Sequence, residues 1–239
     1  MSSGPLNAQL TSVSPVSGDV SDLRFAMVSP PRLAFEPGQF VTLAVGTDAA
    51  GQPIRRSYSL ANLTRRGDEL RLLIKLLPDG AASDFFGHLA PGAEVYLTGP
   101  HGFFTLDAAH AGDVVFAVTG TGLAPVLPML DELADRPRTG RRLLFWGLRS
   151  EADIFIREEL EALCARAGAE LRLHLSQPGP AWPGGGGRIV QPVLQALPTL
   201  EAPTFYMVGN GAMIRELKQS LIDLGVNRKK QIRTEAFFD

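Results

Sequence analysis

Val114–Asp135 reads VVFAVTGTGLAPVLPMLDELAD, and its order decides the architecture. Val114 to Val118 is an unbroken apolar run, which suits a strand covered on both faces and predicts that Val118 is fully buried. The turn Gly120-Thr121-Gly122 follows at once, and Leu123–Asp135 then reads as a helix. Strand, glycine turn and helix in immediate succession make one unit of a parallel α/β sheet.

The same grammar continues to the end of the chain. RLLFWGL (Arg142–Leu148) precedes a helical stretch, Ala152–Gly168, in which Ile156, Leu160, Leu163 and Ala167 share one helical face. Then come ELRLHLS (Glu170–Ser176), a glycine run (Gly184–Gly187), and a short helix near Ile189–Leu197. TFYMVGN (Thr204–Asn210), a helix over Ala212–Gly225, and QIRTEAFF complete the set. Five such strands predict a five-stranded parallel sheet for residues 107–239, with helices on both faces.

Residues 1–106 follow another rule. Val20–Ser29, Phe40–Gly46, Ile54–Asn62, Glu69–Leu77 and Glu94–Gly99 are short and rich in β-formers, with turn residues between them. That pattern predicts an antiparallel β-barrel or sandwich. A short helix, Ser83–Leu89, fits before the last strand, with Ser83 as N-cap.

Composition narrows the function. Of 239 residues, 23 are basic and 25 acidic, a balance without the basic excess of a nucleic-acid binder. The single cysteine, Cys164, rules out an internal disulfide and paired-cysteine zinc or iron–sulfur sites. It reads as a core residue. The four histidines lack ligand spacing, so no metal site is expected. The N-terminus is not a signal peptide, and no apolar stretch approaches the ~20 residues of a bilayer span. A soluble cytoplasmic protein, without membrane insertion and monomeric or weakly dimeric, is the expectation.

Four motifs have chemical readings. GTGLAP (Gly120–Pro125) either is a tight turn or brings backbone amides close to a pyrophosphate. In RRSYSLAN (Arg55–Asn62), Arg56 and Tyr58 share one face of a strand, and Ser57 and Ser59 the other. The Arg–Tyr pair is either a surface contact or a phosphate grip beside a ring that stacks on a planar ligand. KLLPDGAASDFF (Lys75–Phe86) offers turn amides near Gly80–Ser83 to an anion, or simply caps a helix. VGNGAMI (Val208–Ile214) repeats the strand, glycine turn, helix design.

Together with GPHGFF, WGLRSEADIF, SQPGPAWPGGGGRI and TEAFF, these pieces occur in an order that resembles the ferredoxin–NADP reductase family over nearly the whole chain. The resemblance implies an FAD-binding barrel followed by an NADPH-binding domain, with NADH as the other candidate nucleotide. It implies that Arg56 binds the flavin pyrophosphate with Lys75, Gly80, Ala81, Ala82 and Ser83. Tyr58 lies against the flavin ring, and Ser57 and Ser59 contact the flavin, Ser59 near N5. Thr121, Gly122, Gly209 and Met213 border the nicotinamide nucleotide. Arg149, Ser176 and Arg188 approach its 2′-phosphate, although Gln177 stands where NADPH-using relatives often carry Arg. Glu235 relays a proton toward N5, Phe237 covers the flavin until nicotinamide displaces it, and Phe238 reaches the adenine. Many members carry Cys before the glycine of VGNGAMI, whereas this chain has Val208.

The implied activity is hydride exchange between NAD(P)H and FAD, coupled to one-electron exchange with ferredoxin or flavodoxin. Arg55, Arg65, Arg66 and Lys75 are candidates for docking that partner. The reductase component of a multicomponent oxygenase, a free-flavin reductase, an electron-relaying subunit and a flavin-free binding module are the alternatives.

Overall fold

The computed structural model describes residues 5–63 and 67–238, the last of these by its backbone alone. Arg65, Arg66, Asp239 and the Phe238 side chain therefore lie outside the described residues. The chain divides into two compact units, Met1–Thr105 and Leu106–Asp239.

The first unit is an antiparallel sheet of β1 (Leu6–Pro15), β2 (Val20–Ser29), β3 (Phe40–Thr47), β4 (Pro53–Ser59), β5 (Glu69–Lys75) and β6 (Glu94–His101). Its strand order is β4-β3-β6-β1-β2-β5. The residues after β4 close it into a barrel: Ala61 N donates to Arg71 O at 2.9 Å, and the Asn62 amide bonds Glu69 O and Arg71 N. A buried ion pair, Arg71 Nη2 to Asp22 Oδ2 at 2.8 Å, ties β5 to β2. Alternate residues such as Leu6, Ala8 and Leu10 point into a core shared with Leu23, Phe25, Val41 and Leu43. β1 is absent from the strands expected from the sequence, although Asn7, Gln9 and Thr11 alternate with its apolar residues at the period of a half-buried strand.

The helix α1 (Ala81–Gly87) starts earlier than expected. Gly80 is its N-cap, and Ser83 lies inside the helix. No side chain caps this start.

The second unit is a parallel sheet of β7 (Val114–Thr119), β8 (Arg142–Leu148), β9 (Ala169–Leu175), β10 (Gly185–Gly186), β11 (Thr204–Asn210) and β12 (Ile232–Phe238). The sheet has six strands rather than five, in the order β10-β9-β8-β7-β11-β12. The extra strand is two glycines that pair with His174 and Leu175 through the backbone, so no side-chain pattern announces it. α2 (Leu123–Ala134) and α3 (Arg157–Ala167) lie together, while α4 (Val190–Ala196) and α5 (Gly211–Asp223) share a core with β7, β8 and β11. A four-residue helix, α6 (Arg228–Gln231), leads into β12. Val118 is fully buried, as expected.

α3 begins at Arg157, not Ala152, because a capping box between Ser150 and Asp153 closes a separate 3-10 turn. Ile156 then adopts φ 45°, breaking the helix before it starts. No helix among the described residues is long and apolar enough to cross a membrane.

Cys164 is buried on α3, and burial, followed by Glu161, pushes its thiol up to about 12. The folded chain is expected to resist a disulfide-exchange reagent at pH 8 and to react once denatured. The raised value favours folding while the thiol is protonated. That contribution is present below the unfolded value of ~8.5 and is lost as pH climbs toward the folded one.

Candidate functional site

In the first unit the candidate residues lie on β4 and α1. β4 pairs with β3 so that Tyr58 faces Val41 and Arg56 faces Leu43. Directly opposed residues share a face, so Arg56 and Tyr58 lie on the core side of the barrel wall. Tyr58 is half-buried, its ring edge-on to Phe86 of α1 at 5.4 Å. Burial pushes its phenol up to about 12 against the lowering pull of Arg56, so it stays a neutral hydrogen-bonding group at pH 7. Arg56 is exposed although its strand face is the core face, and its Nη1 donates to Arg55 O at 2.9 Å. Ser57 turns outward to bond Thr42 Oγ1 at 3.0 Å, and Ser59 is buried. Lys75 pairs with Asp19 at 2.7 Å.

In the second unit the strand order supplies the geometry. β7 leads through α2 to β8 on one side, whereas β11 leads through α5 to β12 on the other. The order therefore reverses between β7 and β11, and ligands of open α/β sheets bind at the carboxyl ends of strands at such a point. Both glycine turns fall there. Gly120 has φ 55°, open space where a side chain would stand, and a carbonyl that accepts from Trp146 Nε1 at 3.1 Å. Thr121 is buried.

Gly122 and Gly209 are required by the packing of the two turns as well. A Cβ on Gly122 would stand 2.7 Å from Val208 O, and one on Gly209 would stand 2.3 Å from Thr119 Oγ1. These glycines let the two turns touch each other. Thr119 Oγ1 accepts from Asn210 N at 2.8 Å, and the Asn210 side chain caps α5 by accepting from Met213 N at 3.0 Å. Thr119, Trp146 and Asn210 were not singled out from the sequence. The Asn before a helix is an N-cap signal that identifies Asn210; the other two have no local signal.

β12 runs beside β11 with Glu235 opposite Val208 and Ala236 opposite Gly209. Glu235 and Phe237 thus reach the same carboxyl end of the sheet, both half-buried. Beyond β8, Arg149 Nε donates to Gln177 Oε1 at 2.9 Å, next to exposed Ser176. Arg188 pairs with Glu216 at 3.6 Å.

Residues 7–106 match the oxidoreductase FAD-binding domain family, and residues 116–219 match the oxidoreductase NAD-binding domain family. Barrel, switch-point sheet and these matches define a flavin- and nicotinamide-nucleotide-dependent oxidoreductase. Ferredoxin–NADP reductase B of Sorangium cellulosum is 33% identical, across 94% of this chain and 95% of that protein. The chain belongs to the ferredoxin–NADP reductase family. A reductase component of the naphthalene 1,2-dioxygenase/salicylate 5-hydroxylase systems of a Ralstonia species is 32% identical, over 96% of this chain but 68% of that longer protein. A ferredoxin NADP+ reductase from Neisseria gonorrhoeae, solved with FAD and NADP, superposes with a TM-score of 0.81 at 25% identity, over 99% of this chain and 100% of that one.

Proposed function

We propose that the chain exchanges a hydride between a nicotinamide nucleotide and FAD, and single electrons with ferredoxin or flavodoxin. The observation that carries this reading is the convergence of both glycine turns on the one place where the strand order of the parallel sheet reverses. FAD, when bound, supplies an N5 that accepts hydride and releases electrons one at a time.

Residues 1–106 hold the flavin and 107–239 the nucleotide. Arg56 grips the pyrophosphate with its planar fork, aided by Lys75 and by the start of α1, Gly80 to Ser83. The exposed guanidinium and the helix start without a side-chain cap suit an anion. Tyr58 flanks the ring as a neutral phenol. Ser57 and Ser59 bind along it, and Glu235 holds the proton destined for N5. Thr121, Gly122, Gly209 and Met213 border the nucleotide, and Phe237 covers the flavin until the nicotinamide displaces it.

Arg149, Ser176 and Arg188 receive the 2′-phosphate, which makes NADPH the preferred donor. Arg188→Ala is expected to raise KM for NADPH about tenfold, a loss of ~1.4 kcal/mol, and to leave NADH unchanged. Equal effects on both nucleotides would remove Arg188 from the site.

The name of the Ralstonia relative favours a second reading, the reductase component of an oxygenase system. Stopped-flow reduction with NADPH and NADH, followed by transfer to purified ferredoxin, flavodoxin and an oxygenase-type ferredoxin, separates the two. Reduction of the bound flavin by neither nucleotide would refute both.

A further inference from the structure

A groove of about 480 Å³ lies between β9 and α4, on the flank of the second unit. That volume is within the range of small-ligand sites, ~300–1,000 Å³. Glu170, Arg172 and His174 share one face of β9. α4 packs over the middle of the sheet, against Leu143 and Phe145, and the groove opens beside it over Arg172 and His174 of β9. The Arg172 guanidinium lies 5.1 Å over the Phe145 ring. Arg141, at the amino end of the groove, donates to Thr199 Oγ1 at 3.1 Å. None of the residues lining the groove is acidic.

The two arginines meet one anion just outside it. Glu170 accepts from Arg172 Nε at 2.7 Å and lies 3.7 Å from Arg141 Nη2. Its side chain is 53% exposed and borders water. The hydrogen bond from Arg172 draws its carboxyl below the usual range. At the other end, the His174 ring packs against Gly185 of β10, and burial followed by Arg172 lowers its pKa against the raising effect of a backbone hydrogen bond with Gly186.

We propose that this groove binds a small organic carboxylate with a flat apolar body. The carboxylate displaces Glu170 from Arg172 and Arg141, whose guanidinium planes are already held by a ring and by Thr199. A planar fork prefers a bidentate carboxylate, and little side-chain entropy remains to be lost. The apolar body lies along Pro192 and Ala196 of α4, beside the Arg172 guanidinium that covers Phe145. The arginine end of the groove lies away from the nucleotide site at the carboxyl ends of β7 and β11, because Arg141 immediately precedes the start of β8.

Benzoate is the probe. It is titrated into the full chain carrying FAD and saturated with NADP+, and followed by the ring resonances of His174 and by calorimetry. The expected result is saturable binding that NADP+ does not displace. Arg172→Gln and Arg141→Gln should each weaken it about tenfold, by the loss of one charge-assisted contact. Glu170→Gln, which removes the internal competitor from an exposed position, should tighten it severalfold. Thermal melts identify any variant that does not fold, and the Glu170→Gln arm then decides. Displacement by NADP+, indifference to the arginine variants, no tightening with Glu170→Gln, or no saturable binding would each overturn the proposal. None of these outcomes bears on flavin reduction by NADPH, so the oxidoreductase reading is tested apart.

Discussion

Arg56→Ala is expected to weaken FAD binding about a hundredfold, because two hydrogen bonds from a charged group to a pyrophosphate contribute ~3 kcal/mol together. The variant should lose its yellow colour on gel filtration while melting, without flavin, at the temperature of the parent. That second outcome follows from position. Arg56 is exposed, its one described hydrogen bond is to the neighbouring Arg55 carbonyl, and β4 keeps its pairing with β3 through the backbone. Arg56→Lys should recover only part of the affinity, since an ammonium cannot present two parallel N–H groups. If Arg56→Ala binds FAD as the parent does, the pyrophosphate is held elsewhere.

Arg142→Met should lower the stability of the second unit by about 2–4 kcal/mol, because it takes a charged donor from buried carbonyl oxygens, and an unsatisfied buried acceptor costs ~1–3 kcal/mol. For a protein of this size that is a fall in Tm of roughly 10 °C. Arg142 opens β8 and is 6% exposed. Its Nη1 donates to Leu133 O and Ala167 O, both at 2.6 Å, and its Nη2 to Pro137 O at 3.1 Å and Arg136 O at 3.3 Å. Leu133 and Ala167 stand in the last turns of α2 and α3, where carbonyls lack the usual i+4 partner and the dipole ends are negative; Leu133 O also accepts from Arg136 N at 3.2 Å. One guanidinium therefore closes two helices. Burial first, then Arg138 and Arg136, lower its pKa from the usual arginine value, and it remains charged across the physiological range. Methionine fills similar volume and leaves four carbonyls without this donor. Denaturant titration of both proteins measures the difference; a loss below ~1 kcal/mol would mean that water replaces the guanidinium.

The candidate site was legible where its signal is local. Arg56, Tyr58 and Ser59 stand in one strand, and alternation assigns their faces without further information. Gly120 and Gly209 were legible as turns after apolar strands. The reason for Gly209 was not, because the oxygen that excludes its side chain belongs to Thr119 on another strand. Ser83 was misread as a cap because a serine before aromatic residues matches the signal, while Gly80 already starts the turn. The helical period over Ala152–Gly168 hid the Ser150–Asp153 box, and Ile156 in the left-handed region has no residue-type signature.

The sequence by itself determined that an antiparallel half precedes a parallel one. Period is a property of neighbouring residues, and a strand that is apolar on both faces must be covered on both. It also determined which turns carry glycine and where a cationic side chain joins a tyrosine on one strand face. Only the tertiary structure decided the order β10-β9-β8-β7-β11-β12, and with it the switch point at which the two glycine turns meet. It alone brought Arg142 to the ends of two helices and set Arg141 and Arg172 around one carboxylate. These contacts join residues far apart in the chain, and pairing between distant strands leaves no periodic trace in either of them.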